Sequence, residues 1–203
     1  MLPQAADAPF DDPAWFFEPW WPGASALAYL AGDRVRLQIG HLADPLDAFP
    51  ELAAIGSQFR GDRLIVEGAL LVLDDEGRPD AELLRRRLAD VGNRDGSPAF
   101  VASDLLYLGS RQLLNVPFEE RRDQLIGQLS DAEHCVVSRG LRGEGLTLAE
   151  AVSSMGFGEI SARLLAGRYR PGQHDESWLR LPVIKAPVVP TRPLLALLQR
   201  LPL

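Results

Sequence analysis

Residues that commonly carry catalysis or bind metals are few and scattered in this sequence. Cys135 is the only cysteine, so no disulfide or cysteine metal site can form within the chain, and its strand-like surroundings predict a buried thiol rather than a nucleophile. The three histidines, His41, His134 and His174, lack the spacing of metal ligands. Lys185 is the only lysine, so chemistry that needs an amine side chain has one candidate, in a proline-rich segment. We therefore expect no metal site.

The charge balance argues against a protein that wraps nucleic acid. The chain has 28 acidic and 21 basic residues, a net charge of −7 and a pI near 5.0, whereas contacts to phosphates require clustered cations. The densest basic runs, Arg85 to Arg87 and Arg121-Arg122, lie in helix-like segments, and we expect both to be solvated helix faces. Any contact with DNA is expected to be weak, with Arg168 and Arg170 as candidate residues.

The elements that would position a site alternate along the chain. A Gly32-Asp33 turn between two apolar runs predicts a β-hairpin, and capping-box spacing of Thr147 and Glu150 predicts a helix that ends at Gly156. Predicted strands cover 26–31, 34–39, 64–73, 100–108, 134–138, 159–165 and 178–183. Predicted helices cover 119–129, 147–156 and a segment from about Asp80 with Leu84, Leu88 and Val91 on one face. Hairpins with helices between them indicate an α+β fold with antiparallel sheets.

The C-terminal part differs in composition. We predict one domain over residues 1–181, followed by a proline-rich linker over 182–193. A short amphipathic helix is predicted over 194–203, because leucines recur there at i, i+3, i+4 and i+7. Such a short helix is marginal alone, so it should dock on its own domain, a second copy or a partner. The leucines of this possible partner helix are Leu194, Leu197, Leu198 and Leu201.

The stretch FFEPWWPG, Phe16 to Gly23, and its surroundings resemble a known family. PFDDPAWFFEPWWPGASALAY is similar to the start of the adenylation (nucleotidyltransferase) domain of bacterial ATP-dependent DNA ligases of the end-joining, ligase D type, which runs approximately PFDDPxWxFEPKWDGxRALAY. Four further segments match in order: LQIGHLADPLDAFPEL, VEGALLVLDDEGRPD, FVASDLLYLGSRQLL and GFGEISARLLAGRYRPGQHDESWLRL. The resemblance implies an ATP-grasp-like ligase fold of two antiparallel sheets flanked by helices. Because the sequence ends before an OB domain, none is expected.

The resemblance also implies which positions would carry catalysis, and most of them are changed. The family uses ATP and Mg²⁺, and its lysine nucleophile, which becomes adenylated, aligns with Trp20; indole nitrogen has no available lone pair. The adenine-stacking aromatic aligns with Ser103, and the metal-facing glutamate aligns with Gly158. The remaining positions of this vestigial nucleotide pocket are Glu18, Ser25, Gly40, Ala69, Arg163 and Arg180, of which only Glu18, an adenine-reading residue in the family, is kept.

Three hypotheses about function follow from these departures. The first is a pseudoenzyme without a catalytic residue or cofactor, acting as an interaction or regulatory module linked to DNA repair. The second is an accessory protein that binds DNA ends through its remaining arginines, and the third is a divergent nucleotide-binding protein or nucleotidyltransferase. We favour the first, with a protein partner or self-association. The N-terminus has no signal-peptide pattern and no apolar run is long enough to span a bilayer, so we expect a cytoplasmic protein without a membrane partner.

Overall fold

The computed structural model describes residues 1–40 and 42–183. Strand residues extend through Pro182, the boundary predicted between domain and linker. His41, Lys185, the rest of the predicted linker and the predicted leucine helix lie outside the described residues. The described chain divides into a first unit of Met1–Trp20, Leu114–Glu120 and residues 138–183, and a second unit of Trp21–Leu113 and Arg121–Val137.

The described residues form strands, α-helices and two 3₁₀ segments. The strands are β1 Leu2–Ala5, β2 Asp11–Pro19, β3 Ala24–Ala31, β4 Arg34–Ile39, β5 Leu42–Ala43, β6 Arg63–Leu73, β7 Ser97–Leu108, β8 Arg111–Gln112, β9 Cys135–Val137, β10 Leu141–Glu144, β11 Glu159–Leu164 and β12 His174–Pro182. The α-helices are α1 Ala81–Ala89, α2 Phe118–Gln128 and α3 Gly145–Ser154, and the 3₁₀ segments are Pro45–Ala48 and Pro50–Gln58. None of the described helices is long and apolar enough to cross a membrane.

The first unit is built on a five-stranded sheet in the order β1-β12-β11-β2-β10. All its neighbouring strands are antiparallel except β1 and β12, which are parallel. Helix α3 packs on β2 and β11. Apolar side chains that are fully buried supply this core: Phe17, Leu148, Val152, Ile160 and Leu181. Because side chains alternate along a strand, the residues between these positions point to the opposite face.

The second unit is built on a larger sheet in the order β5-β4-β3-β6-β7-β8, with β9 parallel to β7. Strand β6 is apolar almost throughout and buried along nearly its whole length, whereas β3 alternates between buried and exposed side chains. The pairing of β6 with β7 is close at Gly68, where an added Cβ would lie 2.3 Å from the Val101 carbonyl oxygen. Gly68 is therefore required by this close approach of two strands.

The predicted α+β architecture of two sheets flanked by helices is confirmed, and the strands and the three helices predicted within the described residues are present. The β3–β4 hairpin turns at Gly32, which has a φ of +58°, as the Gly-Asp pair indicated. Strands β1, β2, β5, β8 and β10 and both 3₁₀ segments were not predicted. The two parallel pairs were not expected either.

Two predicted helix boundaries were wrong. Helix α1 ends at Ala89, and Val91 is 60% exposed, so it does not share the apolar face of Leu84. Helix α3 begins at Gly145 with Glu144 as its N-cap residue, so Thr147 lies inside the helix and the predicted capping box does not start it. Thr147 and Glu150 are instead both interior residues of α3.

The basic runs were also wrongly interpreted as fully solvated faces, because Arg87, Arg121 and Arg122 are buried. Arg87 donates to the backbone carbonyls of three residues after α1, Arg94, Asp95 and Gly96, and pairs with Glu51 at 2.9 Å. Such contacts compensate the burial of the guanidinium.

Arg121 forms the most enclosed ion pair of the second unit. Its Nε and Nη2 donate to the two carboxylate oxygens of Asp104 at 2.8 and 2.7 Å, and both side chains are at most 1% exposed. A guanidinium keeps its proton in proteins, so burial is tolerable only with such a partner. The pair therefore ties α2 to β7.

Arg121→Met should lower the free energy of unfolding by about 3–5 kcal/mol, because it removes the guanidinium that donates to both oxygens of the buried Asp104 carboxylate. Arg85→Met is the matched control, since Arg85 pairs with Glu82 on the exposed side of α1, where water screens the pair, so this variant should leave the free energy of unfolding nearly unchanged. Urea unfolding measures both. A loss below about 1 kcal/mol in Arg121→Met would contradict this account.

Candidate functional site

Polar and aromatic side chains share one face of the five-stranded sheet, opposite the face that packs on α3. In the pairing of β11 with its neighbours, Arg163 lies opposite Phe16 of β2 and Trp178 of β12. Ser161 lies opposite Glu18 and Arg180 in the same way. Directly opposed residues point to the same side of a sheet. The members of this polar face are Phe16, Glu18, Ser161, Arg163, Trp178 and Arg180.

Arg163 is the centre of the polar face. Its Nε lies 3.4 Å from Oε1 of Glu18, and both residues are 2% exposed. The guanidinium carbon lies 4.0 Å from the ring centre of Trp178 and 5.2 Å from that of Phe118. The Trp178 indole N–H donates to the Ser161 hydroxyl at 2.8 Å, which orients the ring. The surroundings of Arg163 thus include the Glu18 carboxylate and the rings of Trp178 and Phe118.

Trp20 lies beside this cluster, directly after β2. The residue is half-buried, and its backbone N–H donates to the Glu159 carbonyl at 3.1 Å. The guanidinium carbon of Arg180 lies 4.5 Å from the centre of the indole, and the Trp178 ring lies 6.2 Å away at 40°. Arg180 also forms an ion pair with Glu159. Trp20, Glu159 and Arg180 therefore contact one another.

Gly158 precedes β11 at the edge of this cluster. Its carbonyl accepts a hydrogen bond from the backbone N–H of Val183 at 2.9 Å. The structure thus gathers Glu18, Trp20, Arg163 and Arg180 on one sheet, with Gly158 adjacent to the Glu159 that pairs with Arg180. That Glu159 follows Gly158 is visible in the sequence, but the pairing of Glu159 with Arg180 is not.

The other predicted pocket positions lie in the second unit and carry small side chains. Ser25 on β3 lies opposite Ala69 on β6. The Ser103 hydroxyl, on β7, donates to the Glu67 carbonyl at 3.3 Å and is nearly buried. Gly40 follows β4 with a φ of +54°, and an added Cβ would meet nothing within 4 Å. These positions present little polar surface for recognition of a ligand.

The candidate DNA-contacting arginines lie in the loop between β11 and β12. Arg168 and Arg170 are exposed, and Arg170 forms an ion pair with Asp175 at 2.8 Å. Hydrogen bonds from the hydroxyl and backbone N–H of Ser177 lower the pKa of Asp175. Asp175 therefore stays ionised, so its pairing with Arg170 persists well below neutral pH.

The other residues with catalytic or metal-binding potential have structural surroundings. Cys135 is buried in β9 and burial raises the pKa of its thiol, so the predicted buried thiol is confirmed. A ring nitrogen of His134 lies 2.8 Å from the Pro98 carbonyl, and one of His174 lies 2.9 Å from the Pro3 carbonyl. Within residues 1–40 and 42–183, no group of three His, Cys, Asp or Glu side chains could hold a metal ion.

Sequence reasoning missed the aromatic enclosure of Arg163. Phe118 comes from the start of α2, far from β11 in sequence, and no local pattern identifies it. Trp178 alternates with Arg180 along β12, so their shared face could have been read from the strand period. Trp21, the neighbour of Trp20, is buried in the second unit.

Comparison with known sequences finds relatives among bacterial DNA repair ligases. The multifunctional non-homologous end joining DNA repair protein LigD of Mycobacterium tuberculosis H37Rv is 30% identical over 166 residues, covering 82% of this chain and 21% of LigD. DNA ligase C1 of Mycolicibacterium smegmatis is 30% identical over 187 residues, covering 86% of this chain and 54% of that protein. The chain thus spans about a fifth of LigD and about half of ligase C1. No protein-family model matches the chain.

Comparison with solved structures agrees with the sequence relatives. The structure of mycobacterial DNA ligase D complexed with ATP and MES superposes with a TM-score of 0.76 at 27% identity, covering 89% of this chain and 58% of that chain. The ligase domain of M. tuberculosis LigD gives a TM-score of 0.75 at 27% identity, covering 88% and 57%.

Glu18→Gln should destabilise the protein by about 3 kcal/mol, because it removes a buried carboxylate that lies 3.4 Å from the Arg163 guanidinium. Glu159→Gln is the matched control: it makes the same change in the same sheet, but at a partly exposed pair with Arg180, and should cost less than about 1 kcal/mol. Thermal and urea unfolding measure both variants. Equal losses in the two would mean that the Glu18–Arg163 pair is not the centre of the cluster.

Proposed function

We propose that this chain, which belongs to the family of the ligase D adenylation domains, is a catalytically inactive member that serves as an interaction or regulatory module in DNA repair. The observation that carries the proposal is the environment of Trp20. Trp20 aligns with the position at which the resembled family has its nucleophilic lysine. Here an indole stacks with Arg180 instead.

Trp20 has no means of accepting an adenylyl group. Adenylation of a side chain requires a lone pair that attacks phosphorus, and the indole nitrogen lone pair is part of the aromatic system. The only lysine of the chain, Lys185, does not align with this position. Trp20 instead packs against two side chains: its indole stacks with Arg180 and contacts the ring of Trp178.

The charged groups of the polar face are engaged with one another. Glu18, the only retained pocket residue, faces Arg163 at 3.4 Å. Arg180, which replaces a family lysine, is paired with Glu159. A triphosphate would have to compete with Glu159 for Arg180, and an adenine would have to compete with Arg163 for Glu18. This mutual pairing supports loss of the nucleotide function.

The residues present do not fit ATP and Mg²⁺ as the family would hold them. Among the described residues, no cluster of carboxylates suits a metal ion. Ser103 replaces the ring that would stack on adenine, and Ala69 has no group to bind a ribose hydroxyl. No catalytic step through ATP is therefore derived for this chain.

Binding of DNA ends is the less favoured alternative. Its arginine candidates largely have carboxylate partners, since Arg170 pairs with Asp175, Arg180 with Glu159 and Arg163 with Glu18. Release of these partners would add to the cost of each phosphate contact, and the net charge of −7 would oppose the approach of DNA. A protein partner or self-association fits the acidic surface better.

Incubation with ATP and Mg²⁺ should leave the mass of the intact protein unchanged, because the position of the nucleophile carries an indole. Intact-mass spectrometry checks this, with the ligase domain of M. tuberculosis LigD treated in parallel as the positive control. An added adenylyl group on this chain would contradict the proposal.

Trp20→Lys alone should also remain unadenylated. The substitution supplies an amine, but Ser25, Ala69, Ser103 and Gly158 still lack the family's side chains. Intact-mass spectrometry under the same conditions measures the outcome. Adenylation of this single variant would show that the rest of the pocket is competent and that Trp20 by itself blocks the reaction.

ATP should bind with a Kd no tighter than about 1 mM, which corresponds to about −4 kcal/mol, because Glu18 is paired with Arg163 and the positions for ribose and for adenine stacking lack the family's side chains. Isothermal titration calorimetry with ATP measures the Kd, and Trp20→Ala serves as a variant with the indole removed. A micromolar Kd for the natural chain would instead favour the divergent nucleotide-binding protein.

A further inference from the structure

An open groove of about 710 Å³ lies in the first unit, beside helix α3. It is lined by residues 7–9, by one side of α3 from Ala149 to Ser154, and by Pro182 and Val183 at the end of the described chain. Its size is within the range of roughly 300–1,000 Å³ typical of ligand pockets. Alanine, proline and valine side chains make much of the lining apolar, and Asp7 and Glu150 add two carboxylates.

The sequence that follows the groove complements its chemistry. Residues 184–203 contain the basic residues Lys185, Arg192 and Arg200 and no acidic residue. The leucines of the segment 194–201 recur at i, i+3, i+4 and i+7, so a helical conformation would place them on one face. An apolar face with basic neighbours matches an apolar groove with acidic neighbours.

The connection between groove and segment is short enough to favour contact within one chain. Val183 itself lines the groove, and residues 184–193 extend at most about 36 Å. A segment tethered at the groove has an effective concentration in the millimolar range, which a second molecule reaches only at high protein concentration. The tether therefore selects the chain's own segment over a second copy.

We infer that the groove is the docking site of the chain's own C-terminal segment 194–201, with the leucines against the apolar lining and the basic residues near Asp7 and Glu150. This inference is independent of whether the chain is adenylated. It identifies an interaction surface that a protein partner could gain only by displacing the segment.

A disulfide trap tests the docking in the full chain. Ser154→Cys combined with Leu198→Cys should give an intramolecular disulfide in dilute protein under mild oxidation, detected as a monomer by non-reducing electrophoresis and peptide mapping. The natural Cys135 is buried and its pKa is raised, so it should not compete.

Ser57→Cys with Leu198→Cys is the matched control. Ser57 and Ser154 are both exposed, and each hydroxyl donates to the carbonyl of the residue three positions earlier, so the two cysteine substitutions remove equivalent contacts. The Ser154 pair should cross-link at least about tenfold faster than the Ser57 pair. Adding Glu150→Lys to the Ser154 pair should slow its cross-linking by about two- to fivefold.

Equal rates for the two pairs would overturn the inference, because they would indicate random encounters of the segment. A disulfide-linked dimer as the main product of the Ser154 pair would also overturn it, in favour of a second copy as the occupant. Absence of any cross-link, with both thiols titratable and the circular dichroism spectrum of the natural chain retained, would leave the groove to a foreign partner and likewise refute docking in cis.

Discussion

The buried guanidinium of Arg163 is the constraint on which the first unit depends. It cannot lose its proton, so a carboxylate and polarisable rings must surround it. Glu18, Trp178 and Phe118 meet this need from β2, β12 and α2. A register slip of one residue would turn Arg163 toward α3 and the apolar side chains beneath it. Burial of this one charge thus depends on the strand order and register of the sheet.

The contacts around this charge also explain what the polar face can do. Trp20 and Arg180 stack, and Arg180 pairs with Glu159, so the groups that the resemblance assigns to catalysis contact one another. The second carboxylate oxygen of Glu18 is buried and accepts no hydrogen bond from the described residues. The Glu18–Arg163 pair therefore compensates the buried carboxylate without satisfying both of its oxygens within the described residues.

The second unit also surrounds its buried guanidinium groups with partners, and these contacts connect helices and loops to the sheet. Arg121 is matched by the two oxygens of Asp104, and Arg87 by Glu51 and several backbone carbonyls. These contacts satisfy the guanidinium donors and bind loops and helices to the sheet. An acidic protein therefore keeps several of its arginines inside, where they stabilise the fold and are withdrawn from contact with nucleic acid.

The sequence by itself determined the family, the α+β class and the central elements. Three local patterns identify these elements without reference to distant residues. They are the apolar run of β6, the Gly-Asp turn at 32–33 and the FVASDLLYL segment of β7. The loss of the lysine at Trp20 was equally visible, because it depends on residue type alone. The tertiary structure decided the partners of the charges, since basic runs on a helix look alike whether solvated or buried. Arg87, Arg121 and Arg163 are buried because carboxylates, carbonyls or rings from distant segments meet them, and such long-range pairing leaves no local pattern in the sequence.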